Sequence, residues 1–462
     1  MTIWPPKPGT LRRPAYRSLA EAVVQAIQTG ELKHNDRLPT HRNLAYDLGL
    51  SVQTVSRAYE ELIRRGVIAG EVGRGTFVRG AGSEAKPPYL PENPYGTIID
   101  FSLLKPVFGS IHIEAMRDAL RGLADDLPQT TVSSFRPTAA LRKYHGTYAK
   151  WLKLCGIDLR GQGLLVTNGN TSAMTVALMT ALDPGGLIAA EALTHHTLKP
   201  LARYLGMRLR GLPADEHGLL PDALDRACTQ EAVGAVFLMP AGLGPEARVM
   251  PAERRVALTE IARRHDLAIV ENDAWGPLQP QRTAPFAVIA PERTFYFTGL
   301  TKCIMPGLRI GFLVMPETLE SAAANRHLVT SWMATAMPAE IAARLIEGGT
   351  AERLLMWQRN ALRERNALAA SILRGLDFHE SPNGLHIWLP LTQTWPEDNF
   401  VLQARQHGVA VAPSSAFSVA ERIQYNGIRI CLGAEAMGPL QSGLQTIARL
   451  ARSQPEPALL TI

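Results

Sequence analysis

The chain has 462 residues, of which 46% are hydrophobic and 19% are charged, and its formal net charge is +6. This length predicts two or three domains, and this composition excludes an intrinsically disordered protein. The sequence has no apolar run long enough to span a bilayer and begins without the apolar stretch of a signal peptide, so a cytoplasmic location without membrane contact is expected.

The positive charge is concentrated at the N-terminus. Residues 1–80 hold twelve Lys and Arg against seven Asp and Glu, so this segment carries +5 of the net +6. Charge concentrated in this way favours a polyanionic partner. On charge alone, an ordinary solvated surface is an equally good interpretation, so the local sequence pattern must decide between the two.

Three helices and a hairpin are predicted in residues 1–80. The stretch "YRSLAEAVVQAIQTG" has apolar residues at helical spacing and ends at Gly30. Thr40 is placed to cap a second helix ending near Gly49, and Ser51 a third ending at Gly66. The stretch "VIAGEVGRGTFVRG" predicts two short strands around a glycine-rich turn. The third helix is predicted to bury a stripe of apolar residues, namely Val52, Val55, Tyr59 and Leu62.

Two helices joined by a short turn and followed by a wing predict a winged helix-turn-helix. In that motif the N-terminal residues of the last helix enter the major groove of DNA. Gln53 and Thr54 can hydrogen-bond base edges, whereas arginines suit phosphates. A double-stranded DNA operator is therefore the predicted partner. The candidate DNA-binding residues are Arg42, Ser51, Gln53, Thr54, Arg57, Arg74, Gly75 and Thr76.

This segment resembles the N-terminal domain of GntR-family transcription factors. The resemblance rests on "GELKHNDRLPTHRNLAYDLGLSVQTVSRAYEELIRRGVI" and "GRGTFV". The family usually has serine where this chain has Thr40, and the change keeps the capping hydroxyl. The resemblance implies that residues 1–80 bind DNA as a transcription factor does.

A linker and a large second body follow. The stretch "RGAGSEAKPPYLPENPYG" is rich in proline and glycine, which predicts a DNA-binding domain at 1–80, a linker at 81–99 and a body at 100–462. In the body, short apolar runs such as "GLLVT", "AVGAVFLMP" and "LAIVEND" alternate with helical stretches. This alternation predicts an α/β fold with a mostly parallel sheet and helices on both faces. Ligands of such sheets bind at the carboxyl ends of the strands.

Polar residues follow several of these predicted strands. "VTNGNTSAM" begins a helix whose free N–H groups can bind an anion, and "LAIVENDAW" and "TFYFTGLTK" end in an acid and an amine. These candidates are Asn170, Thr171, Asp273, Lys302 and Arg309. A phosphate pocket, a carboxylate and an amine together suit pyridoxal 5'-phosphate, because a lysine of lowered pKa can form a Schiff base with its aldehyde. The four cysteines are scattered, which argues against disulfides and a metal site.

Together these motifs resemble the fold-type I, class I aminotransferases. The regions "VTNGNTSAM", "LAIVENDAWG", "GLTKCIMPGLRIGF" and "NGIRICLG" follow the family's order. The resemblance implies that Lys302 is the Schiff-base lysine and that Arg309 and the helix start bind the phosphate. It implies that His195 stacks on the pyridine ring and that Arg429 clamps a carboxylate. It also implies a smaller C-terminal α+β subdomain.

A winged helix fused to this body resembles the MocR subgroup of GntR regulators. Members of that subgroup use the aminotransferase fold to sense amines or amino acids, and they are typically head-to-tail dimers with swapped DNA-binding arms. The resemblance therefore implies a regulator that senses a small amine or amino acid, in a domain-swapped homodimer. Regulators of ectoine utilisation, which respond to diaminobutyrate-type compounds, are one similar branch.

The chain departs from the aminotransferase pattern at the residues that tune the cofactor. Gly244 stands where an asparagine would bond the phenolic oxygen, and Trp275 replaces the tyrosine that would make a second such bond. Gly299 replaces a hydroxyl residue three positions before the lysine. The partner of the pyridine nitrogen is ambiguous: spacing from Trp275 favours Asn272, whereas the need for an anion favours Asp273, which we adopt as the prediction.

These departures affect proton transfer more than binding, since the missing hydrogen bonds tune the cofactor as an electron sink. They favour a sensor in which an amine effector displaces Lys302. An active aminotransferase carrying a DNA-binding arm is an alternative, supported by the retained Lys302 and Arg429. A body that has lost the cofactor and only dimerises is a third interpretation.

Overall fold

The computed structural model describes residues 4–6, 9, 11–12, 14–33, 35–64, 67–71, 75–78, 98–133, 142–381, 383–419 and 425–454. The chain divides into two compact units, Met1–Leu90 and Pro91–Ile462. The division falls within the predicted linker 81–99, most of which lies outside the described residues. The exact domain limits of 80 and 100 therefore stay a prediction.

The first unit has the elements predicted for a winged helix-turn-helix. They are α1 (Ala15–Gln28), β1 (Arg37–Leu38), α2 (His41–Leu48), α3 (Val52–Arg64), β2 (Ile68–Glu71) and β3 (Gly75–Val78). The three strands form an antiparallel sheet in the order β1-β3-β2. The helices and strands share one apolar core, in which Leu19, Leu44 and Tyr59 are almost fully buried.

The predicted helix caps are confirmed. Thr40 Oγ1 accepts a hydrogen bond from the Asn43 N–H at 3.3 Å, and Ser51 Oγ accepts one from the Thr54 N–H at 3.1 Å. Each cap satisfies an N–H group that has no partner within its helix. The predicted stripe on α3 is wrong at one position, because Val52 is 46% exposed. Val52 begins the first turn of α3, where the helix projects beyond the core.

The first half of the second unit alternates strands and helices. Its elements are β4 (Ile99–Asp100), α4 (Ser110–Asp125), α5 (Gln129–Ser133), α6 (His145–Leu154), β5 (Gln162–Thr167), α7 (Asn170–Ala181), β6 (Leu187–Glu191), α8 (Leu198–Tyr204), β7 (Arg208–Leu212), β8 (Ala214–Asp215), β9 (Gly218–Leu219), α9 (Pro221–Gln230), β10 (Val233–Leu238), α10 (Ala252–Arg264), β11 (Ala268–Asn272), α11 (Phe286–Ile289), β12 (Thr294–Gly299) and β13 (Gly311–Pro316). Short 3-10 turns lie at Gly276–Leu278 and Pro306–Leu308.

The remaining elements are α12 (Glu320–Ser331), α13 (Ala336–Glu347), α14 (Thr350–Ile372), β14 (His379–Glu380), β15 (His386–Pro390), α15 (Glu397–Gln406), β16 (Val409–Ala410), β17 (Ala412–Pro413), β18 (Gly427–Cys431) and α16 (Met437–Arg452). The strands β14-β15-β18-β17 form a four-stranded antiparallel sheet, and its apolar side packs with residues of α14, α15 and α16. This part is the predicted smaller α+β subdomain.

The predicted mostly parallel sheet is confirmed. Seven strands lie in the order β5-β13-β12-β11-β10-β6-β7, and only β13 runs antiparallel to its neighbours. One apolar cluster contains residues of α7 together with Val270 and Phe297 of the sheet, and another contains residues of α9 and α10 together with Leu238 and Ile269. Helices therefore cover both faces, and the parallel strands end together at one edge.

None of the described helices is long and apolar enough to cross a membrane. Within the described part of the chain, no three His, Cys, Asp or Glu side chains are grouped so that they could hold a metal ion. The four cysteines are free thiols.

We predict that Thr40→Ala lowers the stability of α2 by about 1 kcal/mol, because the Asn43 N–H loses its acceptor. Amides of α2 should then exchange with solvent about five times faster, as measured by hydrogen–deuterium exchange. Thr40→Ser, which keeps the hydroxyl, is the matched control and should exchange like the unmodified protein. Equal exchange in the alanine and serine variants would show that the cap contributes nothing.

Candidate functional site

In the winged helix, the candidate base-reading residues lie at the start of α3. Gln53 is exposed, whereas Thr54 is half-buried and its hydroxyl lies 2.8 Å from that of Ser51. The Ser51 and Thr54 hydroxyls are thus partly used in forming the helix start. Gln53 has the side chain best able to reach a base edge, since Asn and Gln amides can bond adenine with two hydrogen bonds.

The candidate phosphate-binding residues are arranged on α2 and α3. Arg42 and Arg57 are both exposed, and the Arg57 guanidinium carbon lies 4.4 Å from the centre of the Tyr16 ring. The ring restricts the arginine side chain, which reduces the entropy it loses on contacting a phosphate. Tyr16 is a contributor that the sequence pattern did not indicate.

The wing places a further cation beside a glycine. Gly75 has φ of +120°, and a Cβ added there would lie 2.7 Å from Arg37 Nε. Arg37, which the sequence analysis did not select, therefore lies beside Gly75 and near the half-buried Thr76. Arg74, the predicted phosphate contact of the wing, lies outside the described residues.

In the second unit, three backbone segments meet closely at the carboxyl edge of the large sheet. Gly299 at the end of β12 pairs with Gly311 of β13, which pairs in turn with Thr167 of β5. A Cβ on Gly299 would lie 2.5 Å from Asn170 Oδ1 and 2.6 Å from the Ile310 carbonyl. Side-chain carbon atoms are therefore excluded at Gly299 by the backbone of Ile310 and Gly311 as well as by the Asn170 side chain. We call Gly299, Gly311 and Gly169 the glycine row.

The glycine row brings the predicted phosphate-binding residues together. Gly169 has φ of +83° and precedes α7, and a Cβ on it would lie 3.3 Å from Arg309 Nη2. Arg309 itself has φ of +49°, a left-handed conformation that is unusual for an arginine. Asn170 Oδ1 is buried without a hydrogen-bond partner. Thr171 is exposed on the first turn of α7. An anion at this helix start would meet the free N–H groups of α7 and the guanidinium of Arg309.

Lys302 follows the same strand end. Its amine donates a hydrogen bond to the Leu104 carbonyl. Burial lowers the pKa of Lys302 to about 8, and the positive charges of Arg429 and Arg309 add to that effect. About a tenth of the amine is therefore uncharged at pH 7, far more than for an ordinary lysine, and the uncharged form is the one that attacks an aldehyde.

Arg429 lies in the middle strand of the subdomain sheet. It is almost fully buried, its Nη2 donates to the Ser102 carbonyl at 2.9 Å, and its guanidinium carbon lies 4.5 Å from the centre of the Phe417 ring. Its Nε is buried without a partner. This guanidinium is thus positioned before any ligand arrives and retains an unused donor for a carboxylate.

His195 follows β6 at the same edge of the sheet. Its Nδ1 lies 2.7 Å from the Thr197 hydroxyl, and its ring stacks on His196 with the centroids 4.6 Å apart. Burial lowers the pKa of His195 well below its usual value, with help from the charges of His196, Lys302 and Arg429. A neutral imidazole is a suitable flat surface for an aromatic ring.

The two predicted candidates for the pyridine nitrogen have different surroundings. Asp273 is completely buried, and its carboxylate accepts hydrogen bonds from Arg282 and from the Tyr296 hydroxyl. Asn272 ends β11, and its Oδ1 accepts from the Ala274 N–H at 3.1 Å. Asp273 Oδ2 is therefore occupied by partners within the chain, whereas Oδ1 is buried without a hydrogen-bond partner.

The two departures from the aminotransferase pattern are joined by a histidine. The Trp275 and His386 rings meet edge to face with the centroids 5.5 Å apart, and His386 Nε2 donates to the Gly244 carbonyl at 2.9 Å. The Trp275 N–H is buried without a partner. Sequence analysis missed His386, which lies in an otherwise apolar strand and far along the chain.

Comparison with known families agrees with this geometry. The family described as "Aminotransferase class I and II" matches residues 109–437, and "Bacterial regulatory proteins, gntR family" matches residues 15–78. Because the first match covers more than half of the chain, the protein belongs to the class I and II aminotransferase family. Its GntR domain is fused to this aminotransferase domain, and the whole chain is similar to HTH-type transcriptional regulators, among them MocR.

Relatives share both parts. The HTH-type transcriptional regulator YdeF of Bacillus subtilis is 25% identical over 97% of this chain and 96% of its own length. The pyridoxine biosynthesis regulator PdxR of Corynebacterium glutamicum is 24% identical over 86% of this chain and 88% of its own length. The probable rhizopine catabolism regulatory protein MocR of Rhizobium meliloti is 25% identical over 87% of each chain.

Solved structures share the fold of the second unit. Kynurenine aminotransferase of Pyrococcus horikoshii has a TM-score of 0.71, with 21% identity over 78% of this chain and 91% of its own. LysN of Thermus thermophilus, complexed with N-(5'-phosphopyridoxyl)-L-leucine, has a TM-score of 0.66, with 21% identity over 77% of this chain and 92% of its own. The cofactor is pyridoxal 5'-phosphate.

The residues present suit this cofactor. Arg309 lies beside Gly169 at the N-terminus of α7, where a phosphate would meet a guanidinium and helix N–H groups, and the amine of Lys302 has a lowered pKa. The buried Asn170 Oδ1 and the Trp275 N–H are polar atoms that lack partners in the described protein. Buried polar atoms without partners are rare and indicate a missing ligand or water.

We predict that Gln53→Ala and Arg57→Ala weaken DNA binding in different ways. Gln53→Ala should reduce the preference for the operator over random DNA, because it removes a contact to a base. Arg57→Ala should weaken binding to both DNAs and reduce the slope of log affinity against log salt by about 0.9. Fluorescence anisotropy at several salt concentrations measures both effects. Equal losses on both DNAs from Gln53→Ala would contradict its role in base reading.

We predict that Gly299→Ala prevents cofactor binding. The added methyl group would displace Asn170 or the Ile310 backbone and so distort the phosphate pocket. Gly307→Ala is the matched control, because a Cβ at Gly307 meets no atom within 4 Å. After addition of pyridoxal phosphate, the control should retain the visible absorbance and Gly299→Ala should not. Normal absorbance in Gly299→Ala would show that the glycine row is not essential.

Proposed function

We propose that this regulator senses a primary amine through Schiff-base exchange at Lys302. The observation that carries the proposal is the position of the Lys302 amine, which follows β12 at the carboxyl edge of the sheet near Arg429 and Arg309, in a chain that also has a GntR domain. Effector binding would change the affinity of the winged helix for its operator. A ligand changes such an equilibrium only if it binds the two states unequally.

Each residue has a separate part in this proposal. Arg309, Asn170, Thr171 and the N-terminus of α7 hold the phosphate, and His195 covers one face of the ring. Pyridoxal phosphate supplies an aldehyde that forms a reversible C=N bond with an amine. Lys302 would hold this bond, and an incoming primary amine would take its place and release Lys302 as a free amine. Because one C=N bond replaces another, the exchange needs no oxidant and no further reactant.

The effector we propose has both an amine and a carboxylate. The amine is required to replace Lys302, and Arg429 presents an unused guanidinium donor to a carboxylate. An amino acid or a diamino acid fulfils both requirements. Diaminobutyrate-type compounds, which are associated with ectoine utilisation, are a specific class to include in a screen.

Loss of the tuning residues favours a sensor over an active aminotransferase. Gly244 offers no side chain, although the nearest atom to an added Cβ would be Met239 Cε at 3.9 Å, so space exists for one. Trp275 can donate one hydrogen bond but has no phenol. An aminotransferase remains the second candidate, favoured by Lys302 and Arg429. Steady turnover with amino donors would distinguish the two functions.

We also propose that the protein acts in the cytoplasm as a domain-swapped homodimer on an operator with two half-sites. Paired DNA-binding domains match a two-part operator. The +5 charge of residues 1–80 lies in the first unit, which supports DNA binding by that unit.

We predict that Lys302→Ala abolishes the response to the effector but preserves DNA binding. The variant lacks the amine that is exchanged, whereas the winged helix has its own core. Lys199→Ala, which removes an exposed lysine of the same body, is the matched control. Operator affinity is measured with and without each amino acid of a screen. A normal effector response in Lys302→Ala would exclude exchange at this lysine as the switch.

We predict that cofactor attachment becomes faster as the pH rises and levels off above about pH 8. Below that pH most Lys302 is protonated and cannot attack, because its pKa is about 8. Arg429→Gln should shift the midpoint to higher pH, since it removes the positive charge that lowers this pKa most. Stopped-flow absorbance after mixing apoprotein with pyridoxal phosphate gives the rate. A midpoint near 10 in the unmodified protein would contradict the lowered pKa.

A further inference from the structure

We infer that Asn272, and not Asp273, contacts the pyridine nitrogen of the cofactor, so that this nitrogen is held without a proton. The inference rests on the cofactor site of the proposed function and corrects the preference for Asp273 drawn from sequence. Its basis is the contrast between two consecutive side chains: Asp273 forms an internal ion pair, whereas Asn272 is an uncharged amide on the other face of the sheet.

Asp273 is bound by groups of the protein itself. The Tyr296 hydroxyl donates to Asp273 Oδ2 at 2.6 Å, and the Arg282 guanidinium forms an ion pair with the same oxygen. Arg282 also donates to the Gly276 carbonyl, which fixes its position. The aspartate is completely buried, and its second oxygen, Oδ1, is buried without a hydrogen-bond partner. Asp273 thus neutralises Arg282 through Oδ2, so an internal ion pair holds this carboxylate in place.

The pleat of β11 separates the two residues. Successive side chains of a strand point to opposite faces, so Glu271 and Asp273 share one face and Val270 and Asn272 share the other. On the first face, Glu271 pairs with Tyr296 across the sheet and lies 3.7 Å from Arg255. These groups form an internal charged cluster.

The other face of the sheet carries the proposed cofactor site. Asn272 pairs with Phe297 of β12, and Phe297 and Val270 belong to the apolar cluster that contains Ala173 of α7. The first turn of α7 is the proposed phosphate site. Asn272 therefore lies at the strand end on the face of the sheet that α7 covers, next to the strand that leads to Lys302.

The amide of Asn272 has a defined orientation. Its Oδ1 accepts from the Ala274 N–H, and only the oxygen of an amide can do so. The Nδ2 group is left as the donor. A donor facing the pyridine nitrogen bonds its lone pair, which stabilises the unprotonated ring and disfavours the protonated one. An aspartate in this position would have the opposite effect.

An uncharged pyridine ring withdraws electrons weakly. Binding and exchange of an amine do not depend on that withdrawal, whereas removal of a proton from the bound amine does. Asn272 thereby weakens proton removal from the bound amine, as do Gly244 and Trp275, which lack the hydrogen bonds to the phenolic oxygen. The site retains an amine effector without converting it, which is the behaviour that a sensor requires.

The test is the protonation state of the bound cofactor, measured by 15N NMR. Apoprotein is reconstituted with pyridoxal phosphate labelled at the ring nitrogen, and spectra are recorded at neutral pH. The unmodified protein should show an unprotonated nitrogen, and Asn272→Asp should show a protonated one. A protonated nitrogen in the unmodified protein, or no change in Asn272→Asp, would overturn the inference.

Asp273→Asn is the matched variant at the neighbouring position. It should leave the nitrogen signal unchanged and lower the melting temperature, because Arg282 loses its buried partner. A changed nitrogen signal in Asp273→Asn with no change in Asn272→Asp would assign the contact to Asp273. If Asp273→Asn does not fold, Asn272→Asp still decides. Failure of the unmodified protein to bind cofactor would instead reject the proposed function itself.

Discussion

The functional half of this protein depends on a close approach of backbone segments that excludes side-chain carbons. Gly299, Gly311 and Gly169 lie where β12, β13 and the start of α7 meet, and added Cβ atoms at the first two would lie below 3 Å from neighbouring atoms. This approach places the free N–H groups of α7 beside Arg309 and sets the course of the chain toward Lys302. A side chain with a hydroxyl does not fit at Gly299, so the close packing of this site requires a glycine there.

The site separates its positive and negative charges. Lys302, Arg429 and Arg309 surround the pocket, and their mutual repulsion adds to burial in lowering the pKa of the lysine. The carboxylates at the end of β11 belong to Glu271 and Asp273. They lie on the other face of the sheet, where they pair with Arg255 and Arg282. A pocket arranged in this way attracts a phosphate and a carboxylate while leaving an amine free to react.

The sequence predicts the architecture better than the details of the site. Helix caps at Thr40 and Ser51 follow from local chemistry, and the mostly parallel sheet follows from alternating apolar runs. Val52 was misplaced because periodicity does not show where a helix leaves the core. The roles of Asn272 and Gly299 depend on which face a strand end presents and on backbone contacts between distant segments. His386 and Ser102 reach the site only through tertiary folding, so no local pattern indicates them.

The Ser102 carbonyl holds Arg429, and the Leu104 carbonyl accepts from Lys302. Both carbonyls belong to the short stretch that follows β4, directly after the segment leading from the winged helix. A ligand that binds either cation would compete with one of these backbone carbonyls. Occupancy of the pocket and the conformation of residues 102–104 therefore depend on each other.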